Sequence, residues 1–187
     1  HMEWIKIAAV TIAALLLGIG DTYAQQHYKG VSALEVNYGT NIFGDADNYF
    51  NLSYSRYINR KSYWKIGANY FEKTYDYSVT LTEGEIPLTR EAKGKDIYVD
   101  GSYHYTLASN LKSVYWGLSI GAFTGVEHTR HPDEEYQFII GPKIGTEMEI
   151  FILPRMALLA GIQQYWNPLS FHEWNTVWNI GIKALLY

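Results

Sequence analysis

From about Tyr28 onward, apolar and polar side chains alternate in eight segments of roughly ten to thirteen residues. The gaps between segments alternate in length. Long gaps fall near residues 40–47, 76–94, 128–136 and 166–174, and short ones near 59–62, 108–112 and 151–155. An antiparallel barrel that crosses a bilayer needs this rhythm, with tight turns at one rim and longer loops at the other. It also needs an even number of strands, so that both termini lie on the same, periplasmic side.

The alternation assigns two faces. Strands are expected over residues 30–38, 48–58, 63–75, 96–107, 114–127, 138–150, 156–165 and 177–187. One face carries Leu34, Val36, Leu52, Trp64, Ile66, Ile97, Val99, Trp116, Ile120, Ile144, Leu158, Trp178 and Ile180. The other carries Glu35, Lys65, Asp100, His104, Lys143, Glu147, Glu149 and Lys183 among small Gly and Ser residues. Period two cannot by itself say which face points inward. A soluble eight-stranded barrel around an apolar ligand shows the same period turned inside out. Two features favour the membrane form. Large aliphatic and indole side chains make a band several residues tall, and the charged face mixes both signs with glycine, as a narrow, side-chain-filled interior requires. The fold class expected is therefore an all-β, eight-stranded, antiparallel up-and-down barrel of the outer-membrane type. Aromatic content supports this: 17 Tyr and 6 Trp within a 16% aromatic fraction suit interfacial girdles.

Upstream, Lys6 precedes an apolar run over residues 7–19, and Thr22-Tyr23-Ala24 places small residues where signal peptidase cuts. His1 ahead of Met2 reads as a cloning scar. Residues 1–24 are thus expected to be a scar plus signal peptide, and 25–187 one barrel domain. The apolar run is too short for a membrane-spanning helix.

Composition excludes several functions. The net charge of −4 gives no basic footprint for nucleic acid. With no cysteine there is no disulfide, thiolate metal site, cysteine nucleophile or lipidated N-terminus. The inward charges are expected to form a structural salt-bridge network rather than an ion path, because eight strands leave no open channel. In the third outer loop, His128, His131, Asp133, Glu134 and Glu135 invite a metal-site reading. Their spacing matches no known ligand motif, so an exposed polar loop is preferred. His128, Arg130, His131, Asp133 and Glu134, with Arg90 in the second outer loop, are the expected contact surface for a partner, since loops on a rigid scaffold usually carry binding. Ser170 with His172, or Ser102 with His104, would be the candidates for a hydrolase, but no G-x-S-x-G elbow is present. No enzyme activity, cofactor, metal or small-molecule substrate is expected.

The segments KGVSALEV, YSRYINRKSYWKIGANYFEKTY, VDGSYHYTL, WGLSIGAFTGVE, GPKIGTEMEIFILPRMALLAGIQQ and NIGIKALLY, with the cut after Ala24, carry a resemblance that spans most of the mature chain. In this order they resemble the TraO family, outer-membrane proteins of conjugative transposons in Bacteroidetes. That resemblance implies a structural or interaction role in conjugative DNA transfer, alongside other envelope or mating-apparatus proteins and outer-membrane lipid, without direct DNA contact. The other readings are a general envelope or adhesion barrel and a barrel enzyme acting on lipid or protein.

Overall fold

The computed structural model describes residues 27–43, 47–79, 84, 86–130, 133–170 and 173–186. The expected signal peptide lies outside them, as do His131, His172 and Tyr187. Eight strands follow in order: β1 Ser32–Asn41, β2 Asn48–Tyr57, β3 Ser62–Val79, β4 Leu88–Ser109, β5 Val114–Thr129, β6 Glu135–Leu153, β7 Met156–Trp166 and β8 Trp174–Leu186. Each pairs antiparallel with its sequence neighbours, and β1 pairs with β8, so the sheet closes. Closure leaves no strand edge within the ring, which is the condition for placing backbone in hydrocarbon.

Two of the three tight turns are built around asparagine. The Asn59 carboxamide oxygen accepts the amides of Lys61 and Ser62 at 2.8 and 2.9 Å. Asn110 does the same for Lys112, Ser113 and Val114, at 2.8 to 3.0 Å. Leu111, between them, takes a left-handed φ of 60°. Side-chain acceptors thereby satisfy the amides that the turn frees from the ladder.

The face assignment read from the sequence holds on all eight strands. Glu35, Lys65, Asp100, His104, Lys143, Glu149 and Lys183 are buried. Val36 (60%), Ile97 (65%), Ile120 (63%), Ile144 (58%) and Ile180 (52%) project outward. Water would not tolerate an apolar surface of this extent on a monomer, so the barrel is of the transmembrane type and not an inside-out soluble one. On β4 the band runs from Ile97 to Leu107. At about 3.3 Å per residue and a tilt of about 40°, that span is ~25 Å tall, the height of an outer-membrane band. Aromatic pairs mark its edges: Tyr38–Phe50 and Trp166–Trp174 toward the long loops, and Tyr54–Trp64 toward the short turns.

Strand lengths depart from expectation. The second outer loop, expected over residues 76–94, is mostly strand. β3 and β4 stay paired beyond Phe71↔Asp96, from Glu72↔Lys95 up to Val79↔Leu88. β2 leaves β3 at Tyr49↔Phe71, and β5 leaves β4 at Lys95↔His128. The result is a two-stranded ribbon standing above the ring. β6 likewise starts at Glu135 and ends at Leu153, beyond the expected 138–150, and β5 runs on to Thr129. Backbone pairing continues past the point where lipid ceases to dictate an apolar outer face, so apolar alternation marks the membrane limits of a strand rather than its ends.

Candidate functional site: a plugged lumen and an outer rim

The interior is filled by side chains in layers. At the short-turn end, His27 precedes β1 and inserts into the opening, 1% exposed. Its ring stacks on Tyr115 at 3.6 Å between centroids. Its Nε2 lies 3.2 Å from both Glu149 Oε1 and the Tyr57 hydroxyl. Val31, Ala33, Tyr63, Phe151, Ala157 and Leu185 complete this apolar plug.

Above it lies the charged layer. Glu35 receives Lys65 at 2.5 Å and Lys183 at 3.0 Å. Lys183 also reaches Glu149 at 2.8 Å, donates to the Tyr57 hydroxyl at 3.0 Å and sits 4.7 Å from the Tyr63 ring centre. Lys65 bridges to Glu147 at 3.3 Å, and Lys143 pairs with Asp100. His104 stacks on Tyr63 and hydrogen-bonds Ser102 at 2.9 Å. Glu35, Lys65, Glu147, Glu149 and Lys183 therefore form one connected network, His104 joins it through Tyr63, and Lys143–Asp100 is a separate pair. Ser102 and His104 are both buried in the lumen, and the void beside His104 measures only about 10 Å³.

Next come a carboxamide belt and an aromatic layer. Asn179, Asn37, Asn51 and Asn69 link β8, β1, β2 and β3 through bonds of 3.1, 3.1 and 2.7 Å. Tyr49 donates to Asn69 at 2.8 Å and packs with Phe71, Tyr98, Phe123 and Tyr165.

At the long-loop end a second ion cluster appears. Lys73 meets Asp96 at 2.7 Å and Glu127 at 3.2 Å, and Ser170 donates to Glu127 at 2.6 Å. Sequence reading missed this cluster and the His27 plug. Lys73, Asp96 and Glu127 lie at inward parity on β3, β4 and β5, so carrying the alternation up to the strand ends would have found the cluster. Nothing in the pattern marks His27. Ser170 sits in this cluster, while His172 is outside the described residues.

The loop residues are exposed. Arg90 pairs with Tyr77 in the ribbon, and Arg130, Asp133 and Glu134 stand open. His128 stacks on Tyr136 at 4.4 Å and contacts Glu134 at 3.2 Å. Beside them the mouth opens into a cavity of about 500 Å³, lined by Asn41, Phe43, Asp47, Tyr75 and Trp174 among others.

Burial holds the His27 imidazole below its ordinary value of 6.5, against the opposing pull of Glu149. Its Nδ1 is buried with no hydrogen-bond partner among the described residues, so a second ring proton would go unsatisfied. The folded state thus prefers the neutral ring. An unfolded chain takes up the proton near pH 6.5, and the folded protein only lower, so this stability is present above about 6.5 and is lost as pH falls through the folded value. Urea titrations in detergent from about pH 7.5 to 5 are expected to show a falling midpoint, flatter in His27→Gln. Equal slopes would remove His27 from the pH response.

A closed eight-stranded barrel with a polar, side-chain-filled interior and an apolar wall defines a small transmembrane β-barrel protein. The profile of a family described as conjugative transposon protein TraO matches residues 24–186. The chain belongs to that family. Among solved structures, the N-terminal β-barrel domain of Pseudomonas aeruginosa OprF superposes with a TM-score of 0.56 at 9% identity, over 84% of this chain and 98% of that one. Neisserial surface protein A follows with a TM-score of 0.48 and 14% identity, covering 82% and 94%. The attachment invasion locus protein Ail of Yersinia pestis gives 0.46 and 13%, covering 84% and 99%. At such identity the OprF likeness bears on the fold alone. No curated protein matches the chain.

Proposed function

We propose that this protein is an outer-membrane component of the apparatus for conjugative DNA transfer, acting by contact with other envelope proteins rather than by conducting or modifying a substrate. Family membership over residues 24–186 carries the link to conjugation. The layered lumen supports the non-conducting role: with Lys183 and Glu35 fully buried and the axis blocked by His27, Tyr49 and Phe71, no path for a DNA strand exists among the described residues. Fold alone would not specify a role, since such barrels host many functions.

In this reading residues 1–24 are removed on export, residues 25–187 form one barrel domain, and both termini face the periplasm. The ribbon of β3 and β4 then stands outside the cell with Arg90, and Arg130, Asp133 and Glu134 stand beside it. Both ribbon edges lack strand partners in the ring, which suits β-strand addition by another chain.

Replacing residues 75–92 by a short Asn-Gly turn should shorten the ribbon while leaving the ring intact. Transfer frequency from a donor carrying this variant is expected to fall toward that of the gene deletion. Wild-type transfer from the deletion strain would contradict the conjugative role. Loss in the deletion but full transfer with the shortened ribbon would move the contact to the short turns.

A further inference from the structure

We propose that the outward wall of β4 and β5, at the base of the ribbon, binds the phosphorylated headgroup of an outer-leaflet lipid. The apolar band ends on β4 at Ile97 and on β5 at Val126. The next outward positions are Lys95 and then Lys93 on β4 and His128 on β5, with the exposed Arg130 just past the end of β5. Lys95 lies directly across from His128. Each strand step of two residues climbs ~5 Å at the barrel tilt, so these side chains occupy the layer just above the acyl chains, where phosphates reside.

The charges are sorted by height and by sector. On the ribbon's outward face, Lys95 and Lys93 sit at the base, while Glu91 and Asp76 pair with each other above them. Beyond the band, the outward positions of β1, β2, β7 and β8 are Thr40, Ile42, Asn48, Trp166 and Trp174, with no cation among the described residues. Among the described residues, two carboxylates stand at the base: Glu134, which contacts His128 at 3.2 Å, and Glu72. Glu72 is engaged by Tyr70 at 2.9 Å and Asn48 at 3.4 Å, and its approach to Lys93 is a loose 3.9 Å. Neither Lys95 nor Arg130 has a carboxylate within ion-pair distance among the described residues.

A second feature lies below them on the same wall. Ile97 and Val99 on β4 and Val126 on β5 are exposed at the top of the apolar band. Cations above an apolar wall of this kind match a phosphorylated glycolipid: the phosphates meet Lys93, Lys95 and Arg130, and the acyl chains lie along Ile97, Val99 and Val126. Each basic residue near an anionic lipid surface strengthens binding about fivefold. The proposal rests on the orientation that puts the ribbon outside the cell.

The test uses protein folded in detergent, incubated with bisphosphorylated lipid A and read by native mass spectrometry. The wild type is expected to retain one lipid through dilution. The Lys93→Gln, Lys95→Gln, Arg130→Gln variant should lose about fivefold in retention for each cation removed. Arg60→Gln with Lys61→Gln, at the opposite rim, should retain it fully. If the triple variant fails to fold, Lys95→Gln alone carries the comparison. Equal retention by the variant, equal retention of the dephosphorylated glycolipid, or displacement by inorganic phosphate at equal concentration would each overturn a lipid-headgroup site. Orientation is read separately by protease cleavage of the ribbon in intact cells, so its failure is distinguishable from failure of the site.

Discussion

Lys183→Met should destabilise the barrel by about 3–5 kcal/mol, the largest single effect expected in the interior. Lys183 is fully buried and is the one ammonium that touches both Glu35 and Glu149. Three carboxylates, Glu35, Glu147 and Glu149, share two ammonium groups in this layer. Removing one ammonium leaves a fully buried charge uncompensated, which costs far more than the net strength of the pair. Methionine keeps the length and most of the volume, so the loss reports charge rather than a cavity. Adding Glu35→Gln and Glu149→Gln should recover much of it, because a neutral layer needs no counter-ion. Urea midpoints in detergent measure both. Failure of the triple variant to recover would mean that these ions also set the register of the closing strands β1 and β8, where Glu35 and Lys183 lie opposite each other.

The second large effect lies on the outer wall. Ile120 and Ile86 are both exposed, at 63% and 89%. In a water-soluble protein a lysine at either site would be nearly neutral. Here Ile120 projects from the middle of β5 into hydrocarbon, whereas Ile86 sits beside the ribbon tip. Ile120→Lys is expected to cost ~2–4 kcal/mol in a bilayer, and Ile86→Lys close to nothing. Unfolding from lipid vesicles separates the two. Equal, small costs would contradict the assignment of the apolar face to lipid.

The sequence was legible where one physical rule acted alone. Along β6, Ile140, Ile144, Met148 and Ile150 alternate with Gly141, Lys143, Glu147 and Glu149 because lipid lies on one side and a packed lumen on the other. That rule assigned Glu35, Lys65, Asp100, His104, Lys143, Glu147, Glu149 and Lys183 to the inner face, where the structure places them. It could not say which would pair, because Lys65 and Glu147 are brought together by barrel curvature across strands that are not neighbours. It also failed at the strand ends. From Asp76 to Val79 the outer face of β3 meets water, polar residues are admitted there, and a paired strand reads as loop. The Lys73–Asp96–Glu127 cluster lies inside the expected strands at inward parity and was missed for a different reason: period two does not show which inward charges meet at the rim. His27 was invisible for another: it belongs to no strand, and only three-dimensional closure creates the aromatic socket that holds it.

The molecule is a closed barrel with its apolar face to lipid. Electrophoretic mobility of the detergent-folded, membrane-extracted protein, with and without boiling, tests it most directly. A closed ladder of eight strands should resist detergent at room temperature and migrate as a compact band that shifts on boiling. A single unshifted band, from protein recovered in the soluble periplasmic fraction, would contradict it and would mean that the apolar face lines a ligand cavity instead.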